Sequence, residues 1–255
     1  MFQITSAALT NPGLKRTMNE DSFCVLPDHS LFVISDGMGG HTAGEIASQL
    51  TVSVIGNFIK TISQDDNVTW PFGIDPALSP ESNKLINAIK IANQTIYQNA
   101  KNKKELKGMG ATVAALHINQ EKASLAHVGD SRIYRIRNNQ IEQLTRDHSW
   151  INEQLEKEKL SPEEIRHHQW RNVLTRALGI EPRVEVDVRV EKAEAEDHYI
   201  LCSDGLSRLV DELAIKTMVL KAQGDLPSAC QGLIKLANDS GGDDNITVIL
   251  VHIIE

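Results

Sequence analysis

The feature that most constrains this chain is an apolar segment that ends on a lone aspartate, because the pattern recurs. Phe32-Val33-Ile34-Ser35 runs into Asp36, and Gly37, Gly39 and Gly40 follow at once. Glycine has no Cβ, so backbone can come close to whatever that carboxylate holds. Tyr199-Ile200-Leu201-Cys202-Ser203 ends the same way on Asp204-Gly205. Ala123 to Val128 runs into Gly129-Asp130-Ser131-Arg132, and Gly241-Gly242-Asp243-Asp244-Asn245 opens the last apolar run. Carboxylates gathered from distant strands repel one another unless a cation neutralises them. Carboxylate and carbonyl oxygens suit Mg²⁺, Mn²⁺ and Ca²⁺; thiolate and imidazole suit zinc or copper. The nine histidines are scattered, only His167 and His168 being adjacent, which argues against zinc. No EF-hand spacing appears, which argues against calcium.

Other chemistries lack their motifs. There is no Gly-x-x-x-x-Gly-Lys-Ser/Thr phosphate loop, no dinucleotide glycine fingerprint and no Gly-x-Ser-x-Gly elbow. Two divalent ions sharing a carboxylate can acidify a trapped water and clamp a phosphoryl group. The residues alone therefore point to metal-assisted hydrolysis of a phosphoester. The formal net charge of −8 argues against nucleic-acid binding. No apolar run is long enough to span a membrane, and Met1-Phe2-Gln3-Ile4-Thr5 lacks the regions of a secretion signal. Cys24, Cys202 and Cys230 form no paired motif, so a reducing cytoplasm is expected.

Residues 2–9 read as a strand. Ser22 to Leu26 and Leu31 to Ser35 are short strands joined through Pro27-Asp28-His29-Ser30. Thr42-Ala43-Gly44-Glu45 is a capping box, and Ile46, Leu50, Val54 and Phe58 recur at helical spacing, widened by Ala47, Ile55 and Ile59. Ser79-Pro80 starts a second helix with Leu85, Ala88, Ile89, Ala92 and Ile96 on its buried face. Successive hairpins over residues 111–144 predict antiparallel sheet. Residues 146–182 change character and read as a small insertion over the sheet. Val184 to Val190 alternates like a half-exposed strand. Asp211 and Asp225 can each cap a helix, the first carrying Leu213 and Leu220, the second Leu233 and Leu236.

The ordered set Arg16-x-x-x-Glu20-Asp21, Asp36-Gly37-Met38-Gly39-Gly40, Gly108-x-Gly-Ala-Thr112, Val128-Gly-Asp130-Ser-Arg132, Leu144-Thr-x-Asp147-His148-Ser149, Leu174-Thr-Arg176-Ala-Leu-Gly179, Ser203-Asp204-Gly205 and Gly242-Asp-Asp244-Asn245 resembles the protein phosphatase 2C (PPM) family, in particular its compact bacterial members. The resemblance implies an α+β fold, a four-layer α-β-β-α sandwich of two antiparallel sheets flanked by helices. It implies one catalytic domain over residues 1–255, with a flap at about 146–182. The implied activity is hydrolysis of phosphoserine and phosphothreonine in protein substrates of Ser/Thr kinases, using water activated at a binuclear Mn²⁺ or Mg²⁺ centre. A cytoplasmic, monomeric signalling enzyme is expected.

By the same resemblance, Asp36 matches the carboxylate that bridges two ions and Gly37 supplies a carbonyl ligand. Asp204 and Asp244 match ligands of the first ion. Glu20 and Asp21 match residues that hold metal-bound water, and Arg16 matches the phosphate-binding arginine. Asp130 matches a residue that, with the Asp204 equivalent, holds a third, weaker ion. At Met38 the chain departs from the many eukaryotic members that carry histidine, a candidate general acid. His41 is nearby, though a solvated histidine at a helix start is the plainer reading. Two rivals stay open: a non-catalytic phosphoprotein-binding module, which should have lost ligands, and a hydrolase of small phosphoesters.

Overall fold

The computed structural model describes residues 2–40, 42–64, 69–156, 170 and 173–254. Among the described residues, eleven strands form two antiparallel sheets. The first holds β1 (Gln3–Asn11), β7 (Arg132–Arg137), β8 (Gln140–Gln143), β10 (His198–Cys202) and β11 (Ile246–Ile254), in the order β1-β11-β10-β7-β8. The second holds β2 (Asp21–Leu26), β3 (Leu31–Met38), β5 (Val113–Asn119), β6 (Lys122–Val128) and β9 (Asp187–Lys192), in the order β2-β3-β5-β6-β9, with β4 (Gly110–Ala111) pairing the end of β3. Local turn chemistry explains the hairpins. Asn138 and Asn139 take φ of 51° and 60° between β7 and β8, the backbone a two-residue hairpin needs.

Alternation along each strand builds the layers. In β3, Leu31 and Val33 pack against α1 (Thr42–Gln64) and α2 (Pro80–Asn102). Phe32 and Ile34 point the other way and meet Ile133, Tyr199, Leu201, Ile249 and Val251 of the opposite sheet. In β10 and β11, Ile200, Cys202, Val248 and Leu250 face outward onto α5 (Glu212–Lys221) and α6 (Leu226–Asp239). Helices, sheet, sheet, helices: the α+β sandwich expected from the sequence is present. Two shorter helices are α3 (Trp150–Glu156), which comes after β8 in the chain, and α4 (Asp204–Ser207), directly after β10.

Most expected elements are found within a residue or two, and the caps at Asp211 and Asp225 are as predicted, whereas Thr42, expected to cap α1, is already its first helical residue. Asp211 accepts a hydrogen bond from the Ala214 amide at 2.8 Å, and Asp225 one from Ser228 at 3.1 Å. Three details differ. The buried side of α1 is Ala43, Ala47, Ser48, Thr51, Ile55 and Ile59, while Ile46, Leu50, Val54 and Phe58 are only half-buried. On α5 the inward residues are Ile215 and Val219; Leu213 is 64% exposed and Leu220 turns outward too. Strand β9 starts at Asp187, not Val184, because its partner β6 ends at Val128 and the chain turns away at Gly129, whose φ is 106°. Of the insertion expected at 146–182, residues 157–169 and 171–172 lie outside the described residues, as does His41. Among the described residues, no helix is long and apolar enough to cross a membrane.

Candidate functional site

The alternation that builds the core also delivers the carboxylates. Phe32 and Ile34 face the inter-sheet space, so Asp36, two residues on, does too. Phe23 and Val25 of β2 likewise pack into that space, and Asp21 lies two residues before Phe23. Asp21 and Asp36 are direct partners in the β2–β3 register. Both therefore sit where the two sheets part. Ser203 and Thr247 of the other sheet reach across this seam. Their hydroxyls donate to Asp21 Oδ2 at 2.8 and 2.6 Å. Asp204 follows as the first residue of α4.

Beside these carboxylates lies a cavity of about 750 Å³. Arg16, Asp36, Asp130, Asp204, Arg208 and Asp244 line it, with Glu20, Gly37 and Met38 also on its wall. All eight residues singled out in the sequence are thus brought to one place: seven line the cavity, and Asp21 lies just beneath, buried and paired with Asp36.

Thr112 fixes the end of β3. Its hydroxyl accepts from the Asp36 amide at 2.9 Å, and its own amide donates to the Asp36 carbonyl at 2.8 Å. Gly37 is held by its amide bond to the Glu20 carbonyl at 3.1 Å, with the first turn of α1 pressed against it. A Cβ at Gly37 would fall 2.0 Å from the Gly44 carbonyl oxygen. Backbone cannot yield there as a flexible side chain could. Gly37→Ala is expected to cost about 3 kcal/mol or more, read as a lowered midpoint in urea denaturation; a wild-type midpoint would refute this packing.

Asn245 ties the Arg16 loop to the Asp244 tip. Its side-chain amide donates to the carbonyls of Pro12 at 3.0 Å and Met18 at 2.9 Å, and its carbonyl oxygen accepts from the Glu20 amide at 2.8 Å. Arg16 itself donates to Asp244 Oδ2 at 2.9 Å. The sequence reading quoted Asn245 within a motif and gave it no task. It also missed Arg208, whose Nη2 lies 2.8 Å from Asp130 Oδ2 and 2.7 Å from Asp204 Oδ2.

The electrostatics ask for cations. Burial is the first cause in each case, and neighbouring carboxylates add to it. Together they push the Asp36 carboxyl well above the usual range. Asp21 rises to about 7 even though the Thr247 and Ser203 hydroxyls oppose the shift, and Asp130 rises to about 6. Asp204 moves up as well, with Arg208 pulling the other way. The Oδ1 atoms of Asp21 and Asp204 are buried without a hydrogen-bond partner. Buried carboxylate oxygens rarely go unpaired, and this donor set, all oxygen, fits a hard divalent ion.

The histidines are less scattered in space than in sequence. His127 and His148 stack at 4.7 Å, and with Asp187 their ligand-type atoms all lie within 4.8 Å of one another. Those atoms are already engaged. His148 Nδ1 accepts from the Gly129 amide at 3.1 Å, His127 Nε2 lies 2.8 Å from the Arg146 carbonyl, and Asp187 is paired with Arg176. The His148 amide also donates to the Gly129 carbonyl at 2.9 Å. His148 therefore grips Gly129 from both sides and sets where Asp130 points. Burial keeps both rings neutral, lowering His148 to about 4.

Known proteins resemble this chain over nearly its whole length. A family model described as protein phosphatase 2C matches residues 15–238. The serine/threonine phosphatase stp of Listeria monocytogenes is 35% identical over 250 residues, 95% of this chain and 93% of its own. Protein phosphatase PhpP of Streptococcus pneumoniae is 34% identical over 252 residues, covering 97% of this chain and 96% of its own. The solved S. agalactiae serine/threonine phosphatase superposes with a TM-score of 0.86 at 33% identity, over 99% of this chain and 100% of that one. The catalytic domain of the phosphatase PstP, solved in complex with two manganese ions, gives 0.83 at 32% identity with full coverage of both chains.

Proposed function

We propose a mechanism from one premise: this chain belongs to the protein phosphatase 2C family and is a serine/threonine phosphatase. Its substrates are phosphoserine and phosphothreonine in proteins, and it acts as one catalytic domain. Asp36, the Gly37 carbonyl, Asp204 and Asp244 would hold two Mn²⁺ or Mg²⁺ ions, with Asp130 and Asp204 holding a third, weaker one. When bound, such ions supply an acidified water as nucleophile and neutralise charge on the phosphoryl oxygens. The observation that carries this reading is the pair of buried, unpartnered oxygens, Asp21 Oδ1 and Asp204 Oδ1, beside a cavity rimmed by Arg16.

The chain's own residues do the rest. Arg16 binds the phosphoryl oxygens with its planar fork. One nitrogen of that fork, Nη2, donates to Asp244 Oδ2; a cation held by Asp244 would compete for that oxygen and leave the whole fork to substrate. Glu20 and Asp21 orient water behind Asp36. Met38 cannot donate a proton, so no side chain at that position protonates the leaving alkoxide. The reaction needs no covalent enzyme intermediate. A monomer working in the cytoplasm against Ser/Thr kinases completes the proposal.

The test compares a phosphothreonine peptide with small alkyl phosphomonoesters under Mn²⁺ and under Mg²⁺. Higher kcat/KM on the peptide is expected. Preference for the small esters would instead favour a metabolite hydrolase on the same scaffold. Arg16→Ala is expected to raise KM for the peptide by roughly tenfold or more with kcat changed less, since a charge-assisted bond made equally in ground and transition states appears in KM. A fall in kcat alone would overturn the binding role of Arg16.

A further inference from the structure

Among the described residues on the cavity wall, Arg208 is the one whose cation joins two of the proposed ligands. It follows the last residue of α4, and its amide donates to the Asp204 carbonyl at 2.9 Å. From there a single nitrogen, Nη2, spans the gap from Asp204 Oδ2 at 2.7 Å to Asp130 Oδ2 at 2.8 Å. The two acceptors, one between β6 and β7 and one directly after β10, are both nearly buried, whereas the arginine side chain is 36% exposed. That asymmetry matters. Asp204 is fixed at the start of α4 directly after β10, and His148 locks the Gly129–Asp130 turn. The guanidinium is carried on a long side chain with open solvent on one side.

We propose that Arg208 is a built-in occupant of the Asp130–Asp204 site: its guanidinium supplies the positive charge there, and a third divalent cation binds only by displacing it. The inference rests on the two-ion reading above for the identity of the site, and on the Arg208 contacts for the competition. One nitrogen bridging the two oxygens fills the position between them. A divalent ion arriving at the same oxygens must break both contacts first. Removing an opposite charge within bonding distance of a carboxylate changes its affinity for another cation by at least about tenfold.

The experiment titrates the chelated, full-length protein with Mn²⁺, counting free ion by its paramagnetic resonance signal. Wild type, Arg208→Gln, Arg208→Lys and the double variant Arg208→Gln/Asp130→Asn are compared. Arg208→Gln is expected to bind a further Mn²⁺ at least about tenfold more tightly than wild type does. That added event should vanish in the double variant, and Arg208→Lys should lie between. Melting without metal supplies a second readout. Arg208→Gln leaves two carboxylates facing each other unneutralised, so it should melt a few degrees lower than wild type, and Asp130→Asn in that background should restore part of the loss. An unchanged last affinity in Arg208→Gln overturns the proposal, as does an added event that survives Asp130→Asn. Fewer than two tight ions in wild type would instead sink the two-ion reading. The Arg208 inference would then stand or fall on whether Arg208→Gln still gains an Asp130-dependent ion. If Arg208→Gln fails to fold, the Arg208→Lys titration decides: an unchanged last affinity in that folded variant overturns the proposal.

Discussion

Asp36→Asn is expected to lose at least about three orders of magnitude in turnover of a phosphothreonine peptide while the protein stays folded. Several kcal/mol of charge stabilisation would depend on this carboxylate, and each 1.36 kcal/mol is about tenfold. Folding should not suffer. The carboxyl sits among Asp21, Asp204, Asp130 and Asp244, all of which raise its protonation. An amide removes one like charge from that group while keeping the shape, and Thr112 bonds the Asp36 backbone, not the side chain. The metal-free Asp36→Asn protein should melt at or above the wild-type temperature. Wild-type turnover in the variant would refute the site; a sharply lowered melting point without metal would refute the repulsion argument.

Exhaustive chelation should reduce hydrolysis to background, and stability should then depend on pH in a particular direction. The folded Asp21 carboxyl titrates at about 7, against an ordinary value of 3.8. A carboxyl whose folded pKa lies above its unfolded one is destabilising where it must ionise. Without metal, stability is therefore higher toward the acid end and falls as pH rises from about 4 to about 7, and Asp36 acts in the same sense. His148 opposes this. Held neutral with a pKa of about 4, it costs stability as pH drops below 6.5. The clean measurement is the melting gap between Mn²⁺-loaded and metal-free protein, from which the histidine contribution cancels. That gap should be widest near pH 7.5 and shrink toward pH 5. A gap independent of pH would mean the carboxylates are not what the cation relieves.

Much of this was legible in the sequence because it is local. Period-two alternation, Asn138-Asn139, and the caps at Asp211 and Asp225 each need only neighbours along the chain. The aspartate tips were legible for the same reason: an apolar run that stops at Asp-Gly announces its own end. Small residues hid the true face of α1. Ser48, Thr51 and Gly56 are buried there, and a Cβ at Gly56 would lie only 3.1 Å from Cys24 Sγ. Close approach of helix to sheet selects small side chains, and a hydrophobicity pattern does not count them. The α5 leucines erred the other way. Packing on one side only, that helix buries Ile215 and Val219 and leaves Leu213 in water. The tasks of Arg208, Asn245 and the His127–His148–Asp187 group were not legible because each depends on partners distant along the chain, and no spacing rule encodes which strand ends will meet.

The seam across which Ser203 and Thr247 hold Asp21 has a kinetic meaning. Strand β11 pairs with β1, setting Gln3 opposite Ile254, and the same strand carries Thr247 to the carboxylate on the other sheet. These are among the most distant pairings in the chain, and loop closure on that scale is slow to be rewarded. The catalytic pocket should consequently be the last part to mature during refolding. Either sheet could gather its hairpins early and still lack a working centre. Recovery of Mn²⁺ affinity would then lag behind recovery of β-sheet circular dichroism, making ion uptake a clock for the docking of the two halves.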